Sequence, residues 1–339
     1  MASVGAVEHV SFVAVRRPKV LSLGGGLDSW AMLLDAEIRG ELPDLVAFVD
    51  VGDAEDRDEH PGEWDGTYRH VEEVVQPWCA ARGIEFVEIS ARTGYLIRPD
   101  KQAARSLFQW LWDMGQIPVA GPNRICTRIA KVERFESWLD ACFPGQEVEV
   151  WIGFDAAETS RVEKDPNAGK PRGPSYGREP AKAAPLRDLT IAWRWTKALA
   201  WAMTHAGRVN RFPLMERGLC RCRCEALARA SGYPVPRKSA CMKCPYGSRG
   251  DWKVLAAERP RVFAKIVELE ERKAPTTKNG IKLSIMDFNS KTKTGTMLPK
   301  FVAKPYKAKV MPCSVCGSAR RATKASGCGY LDDGAAVAA

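Results

Sequence analysis

No apolar stretch of the 339-residue chain approaches the roughly 20 residues that a membrane span needs. The opening segment, MASVGAVEHVSFVAVRRPKV, lacks the basic, apolar and cleavage-site order of a signal peptide. A cytoplasmic chain with no membrane partner is therefore expected. No internal repeat is visible, which excludes a repeat architecture. Two familiar phosphate-binding signatures are missing as well. The glycine-rich stretch VLSLGGGLDS does not fit Gly-x-x-x-x-Gly-Lys-Ser/Thr, and Ser29 stands where Gly-x-Gly-x-x-Gly requires its last glycine.

What is present is the composition of a globular protein. With 45% hydrophobic residues, the chain can form one large domain or two, each with a real core. Its formal net charge of +10 is uneven: residues 279 to 310 are dense in lysine, and residues 50 to 73 hold an acidic cluster. That asymmetry suits a polyanionic partner such as tRNA or DNA, or a solvated basic tail. Of eleven cysteines, eight follow residue 219. In a cytosolic chain they point to metal or iron-sulfur ligation rather than a disulfide framework.

The first half alternates short apolar runs with helical patterns. Residues 19 to 23, 45 to 51, 84 to 89 and 148 to 154 read as buried strands, with helices near 28 to 39, 65 to 82, 101 to 114 and 128 to 142. This is the pattern of an α/β protein with a doubly wound, mostly parallel, Rossmann-like sheet, whose ligand belongs on the rim at the strands' C-terminal ends. Residues 160 to 188, rich in Pro, Gly and charge, read as a loop or lid. Helices are expected over 190 to 207 and 217 to 232, and two more after residue 250, broken near Pro260. The expected division is an N-terminal extension (1–17), a nucleotide-binding α/β domain (18–207), a helical cysteine-rich region (208–299) and a basic cysteine-containing tail (300–339).

A strand, a bare turn and a helix start make an anion site, because backbone N–H groups converge there and the helix dipole adds positive potential. The same glycines also serve tight strand-to-helix packing. Gly24-Gly25-Gly26-Leu27-Asp28-Ser29 resembles the PP-loop of the ATP pyrophosphatase (adenine nucleotide alpha hydrolase) superfamily, Ser-Gly-Gly-x-Asp-Ser. Here Gly24 replaces the serine and Leu27 the frequent lysine. FVDVGDAEDRDEH, RICTRIAKVERFESWL and WIGFDAAETSRV resemble, in order, three further segments of the phosphoadenosine phosphosulfate (PAPS) reductase branch.

The resemblance implies an adenine nucleotide, ATP with Mg²⁺, bound by Ser22, Gly24, Gly25, Gly26, Asp28, Ser29, Asp50, Arg124 and Gly153. Asp28 is suited to cap backbone N–H groups and hold the metal, Ser29 to donate to a phosphate, and Asp50 to meet ribose or metal. Arg124, Arg128 and Lys131 would balance the phosphates, with Arg128 the best fit to plain surface charge. Asp28, Cys126 and Lys131 are the catalytic candidates. Flanking arginines would lower the Cys126 pKa and make it a nucleophile; a small buried hydrophobe is the alternative.

Cys241-Met-Lys-Cys244-Pro is a two-thiolate knuckle, with Cys224 a third ligand and Cys313, Cys316 and Cys328 supplying a fourth or a separate zinc site. The expected metal set is Cys224, Cys241, Cys244, Cys316 and Cys328. Cys220 and Cys222 read as spare, because residues two apart on a helix point in different directions. The PRKSACMKCPY segment resembles the PAPS-reductase-like Pro-x-Lys-Ser-Ala-Cys-x-x-Cys-Pro-Phe, with Tyr246 in place of Phe. It implies a 4Fe-4S cluster, and spacing alone also allows Zn²⁺. The Glu-Cys-Gly-x-His tail of true PAPS reductases is missing. The expected function is ATP-dependent adenylation with sulfur transfer to nucleic acid, served by a sulfur-donor protein. Sulfonucleotide reductase and a non-catalytic zinc-containing nucleic-acid module are the alternatives.

Overall fold

The computed structural model describes residues 16–53, 56–98, 103–118, 125–159, 207–273, 285, 288–289, 294–306, 310–316 and 319–321. Its centre is a five-stranded, all-parallel sheet: β1 (Lys19–Leu23), β2 (Leu45–Val49), β3 (Glu85–Ile89), β4 (Glu147–Ile152) and β5 (Gly207–Arg211). The spatial order is β3-β2-β1-β4-β5. The chain winds outward from β1 in one direction through β2 and β3, then in the other through β4 and β5. The crevice between the C-terminal ends of β1 and β4 is thus the topological switch point where α/β proteins seat ligands.

Parallel strands covered on both faces must be apolar on both faces. β2, LVAFV, is buried at every position. Leu21, Leu23, Val46, Phe48 and Trp151 pack beneath the helix α1 (Leu27–Ile38), joined by Trp30 and Trp78. Val20, Ala47, Val49, Val148 and Val150 face Phe135, Trp138 and Leu139 on the opposite side.

The expected helix at 65 to 82 forms in three joined pieces, α2 (Asp65–His70), a π-helical turn (Val71–Val75) and α3 (Gln76–Ala80). The helix α4 (Leu107–Asp113) follows β3 and is capped by Ser106. The expected helix at 128 to 142 begins earlier, as the short α5 (Ile125–Thr127), and passes through a π turn (Arg128–Val132) into α6 (Glu133–Cys142). Such π turns often mark functional positions.

β5 extends the sheet across the expected domain boundary at residue 207. Beyond it come α7 (Pro213–Glu216), α8 (Arg221–Ala230), α9 (Arg249–Glu258) and α10 (Pro260–Arg272). α8 lies along α1 and buries Cys224 and Ala228 in the same core as the sheet. The expected break near Pro260 is present: α9 ends at Glu258, and Pro260 opens α10, where its missing N–H leaves no helical bond unmade. A second core joins α4, α9, α10 and α11 (Leu298–Ala303), with Trp110, Trp252, Leu255 and Ile266 at its centre. Residues 160 to 206, which include the expected loop and most of the expected helix at 190 to 207, lie outside the described residues. Among the described residues no helix is long and apolar enough to cross a membrane.

Candidate functional site

The glycine loop joins β1 to α1 at the switch point. Gly25 has φ +68°, and a Cβ there would lie 2.5 Å from Thr67 Cγ2. Gly26 caps α1 in an extended conformation and offers no side-chain cap, which leaves the first-turn N–H groups open. A Cβ on Gly26 would meet Ser239 Oγ at 2.5 Å and Ser239 N at 3.2 Å. On the neighbouring strand end, a Cβ on Gly153 would come within 3.1 Å of Ser29 N. Ser22 sits in β1 between Ala47 and Ile152. Ser22, Gly24, Gly25, Gly26, Asp28, Ser29 and Gly153 therefore gather at one rim.

Three side chains there are engaged within the fold. Asp28 lies in the first turn, with its Oδ2 3.7 Å from Arg221 Nη1. Ser29 is buried, and its Oγ donates to Gly26 O at 3.0 Å, turned back on the loop instead of outward. Asp50 is fully buried: Oδ1 accepts from Gly52 N at 2.9 Å and from Tyr68 Oη at 2.5 Å. Its task is to fold the loop after β2, where Gly52 and Gly62 cross so closely that a Cβ on either would lie 2.7 Å from the other's backbone.

Arg124 lies outside the described residues. Arg128 is largely exposed and pairs with Glu133 at 3.3 Å. Lys131 is not an open cation on the rim: its Nζ meets the fully buried Glu63 carboxylate at 2.6 Å. Burial lowers the Lys131 pKa, but Glu63, Cys241 and Cys244 outweigh it and hold the ammonium above the usual lysine range.

The knuckle is stitched to the same loop. Glu63 bridges Cys241 in antiparallel fashion, Met242 N donates to Gly62 O at 2.9 Å, and Cys244 N donates to Cys241 O at 2.9 Å. Lys243, fully buried, donates from Nζ to Pro61 O at 2.5 Å. Burial lowers its pKa against the pull of Cys241, Glu63 and Asp50. The Cys244 thiol donates to the Cys241 sulfur and, with Lys243 and Lys131, holds Cys241 below the usual thiol range. Cys126 adjoins Cys241, yet burial and that neighbour push its thiol up. The expected activation of Cys126 by arginine is thus reversed, because the side chain is turned inward beside another sulfur.

The expected metal set is divided. Cys241 and Cys244 share the rim with Cys126. Cys224 is buried one helix turn inside α8, where burial and then the charges of Asp28 and Asp155 push its thiol far up. Cys316 lies elsewhere, grouped with Cys220, Cys222 and Cys313, whose four sulfurs are all within 4.8 Å of one another. Cys328 lies outside the described residues. Cys220 and Cys222, which read as spare, are therefore partners of the tail knuckle. The usable signal was the Cys-Arg-Cys spacing at the head of a helix, where Cys220 is the extended N-cap residue and does not obey helical directions.

No protein-family model matches the chain, and no curated protein matches it. Two of the solved structures that resemble it do so weakly. One is phosphoadenylyl-sulfate (PAPS) reductase from Candida auris in a phosphate complex, 14% identical, covering 66% of this chain and 78% of that one at a TM-score of 0.32. The other is the U34-tRNA thiolase NcsA from Methanococcus maripaludis with its 4Fe-4S cluster, 14% identical, covering 86% and 82% at a TM-score of 0.31. Likeness of that size assigns no activity.

Proposed function

We propose that the chain is an enzyme that binds an adenine nucleotide with its phosphates on the Gly24–Ser29 cradle and uses it in sulfur chemistry beside Cys126, Cys241 and Cys244. One observation carries the reading: Gly26 touches Ser239, two residues before Cys241, so the cradle and the thiols are neighbours on one rim. Open N–H groups at the head of α1 would bind the phosphates, and Lys238, next to Ser239 in the chain, would add positive charge. Gly24 has room above it, with the nearest atoms to a Cβ at 3.9 Å.

The donor set suits a thiolate-held cluster. Cys241 and Cys244 interact directly and Cys126 adjoins Cys241, so three sulfurs gather beside the cradle. Bound there, an iron-sulfur cluster would supply an iron without a protein thiolate, open to sulfur. Lys131 and Lys243 would offset its negative charge, and Glu63 would hold Lys131 in place.

In this reading an oxygen of the acceptor attacks the α-phosphorus of ATP, and the bond to the β-phosphate oxygen breaks with release of pyrophosphate. A sulfide delivered by a donor protein then attacks the acceptor carbon, and AMP leaves with the oxygen and its bonding electrons. The net charge of +10 favours tRNA or DNA as acceptor. A second reading, sulfonucleotide reduction without ATP cleavage, is favoured by Leu27, which stands where the PP-loop carries a lysine.

The test is pyrophosphate release by anaerobically purified protein given ATP, a sulfide source and bulk tRNA. RNA-stimulated release of pyrophosphate with sulfur incorporation supports the first reading. Sulfite release from PAPS with a dithiol reductant replaces it with the second. Neither product, with RNA bound, would make the chain a binding module.

A further inference from the structure

The group Cys220, Cys222, Cys313 and Cys316 lies outside the rim just described. Cys220 and Cys222 stand at the head of α8, and Cys313 and Cys316 in the turn between the strands β6 (Val310–Pro312) and β7 (Ala319–Arg321). None of the four is in a disulfide among the described residues. A tetrahedral zinc ion with Zn–S bonds of about 2.3 Å spaces its sulfurs about 3.8 Å apart, inside the 4.8 Å limit these sulfurs meet.

Cys220 and Cys313 are buried and form a small cluster of their own with Cys222, which no Leu, Ile, Val or aromatic side chain joins among the described residues. A hairpin with three residues in each strand is too short to be stable unaided. Apolar packing among the thiols is too small to hold it on α8, whereas four thiolates on one ion would.

We propose that Cys220, Cys222, Cys313 and Cys316 bind one structural zinc ion that clamps the β6–β7 hairpin onto the head of α8. The clamp has a second effect. Arg221 lies between two of the ligands, is nearly buried and faces Asp28 in the first turn of α1. Fixing the backbone on both sides of Arg221 holds its guanidinium at the edge of the glycine cradle. The zinc site itself does not depend on the nucleotide reading, and its test uses no nucleotide.

The full chain, purified in air to remove any iron-sulfur cluster, should contain one zinc per molecule. Zinc-edge X-ray absorption on this wild-type protein should show four sulfur neighbours at about 2.3 Å. A shell containing nitrogen or oxygen, or protein without zinc, would overturn the assignment. The paired substitution Cys313→Ser with Cys316→Ser should lose the zinc, and Cys241→Ser with Cys244→Ser should keep it. The reverse pattern would place the ion at the rim instead. Should the first pair fail to fold, the absorption spectrum of the wild-type protein decides alone.

Discussion

A Cβ on Gly26 would stand 2.5 Å from Ser239 Oγ and 3.0 Å from Ser239 Cβ, so the glycine loop and the segment leading into Cys241 touch through backbone and a short side chain. Gly26→Ala must push that segment away. It should cost about 1–3 kcal/mol of stability and weaken nucleotide binding, since both walls of the rim shift. Combining it with Ser239→Gly should restore part of the loss, because the two nearest atoms are then gone. Denaturant midpoints for the two variants check this; equal midpoints would mean the contact is loose.

Glu63 and Lys131 form an ion pair beside Cys241, with Glu63 fully buried. Lys131→Met leaves a buried carboxylate with one partner fewer and should destabilise by about 3 kcal/mol. Adding Glu63→Gln removes the stranded charge and should recover part of that. A double variant no more stable than Lys131→Met would show that Lys243 already satisfies Glu63.

His70 is buried with its ring edge-on to Trp30, 5.4 Å between centroids, and burial lowers its pKa from 6.5 to about 4. The folded protein keeps it neutral where the unfolded chain protonates it. This contribution is complete above pH 6.5 and is lost as pH falls toward 4, by up to roughly 3 kcal/mol. His70→Phe keeps a ring against Trp30 and removes the titration. Its unfolding free energy should fall less steeply between pH 6.5 and 4 than that of the wild type; parallel curves would refute the assignment.

The sheet was legible in the sequence where apolar runs were dense. KVLSL and LVAFV declare buried strands, and the triple glycine before LDS marks the turn to α1. β5 was not legible: GRVNR has one apolar residue, and only its place beside β4 makes it a strand. The π turns at Val71–Val75 and Arg128–Val132 have no signature that an α-helical period would miss. Side-chain direction was the larger gap. Ser29, Asp50 and Lys131 look available on paper and are engaged in the fold by Gly26, Tyr68 and Glu63. The cysteine grouping was hidden for another reason, since a hairpin far along the chain returns to the head of α8, a contact no local spacing encodes.

The central claim is that an adenine nucleotide binds the Gly24–Ser29 cradle, and titration calorimetry with ATP and Mg²⁺ on three proteins tests it most directly. Wild type should bind, Gly26→Ala should bind more weakly, and Gly24→Ser should bind more tightly. The Gly24 site has room for a Cβ, and a hydroxyl there adds a donor to the phosphate, worth about 1 kcal/mol or roughly fivefold in affinity. No heat with the wild type, or the same affinity in all three, would contradict the account.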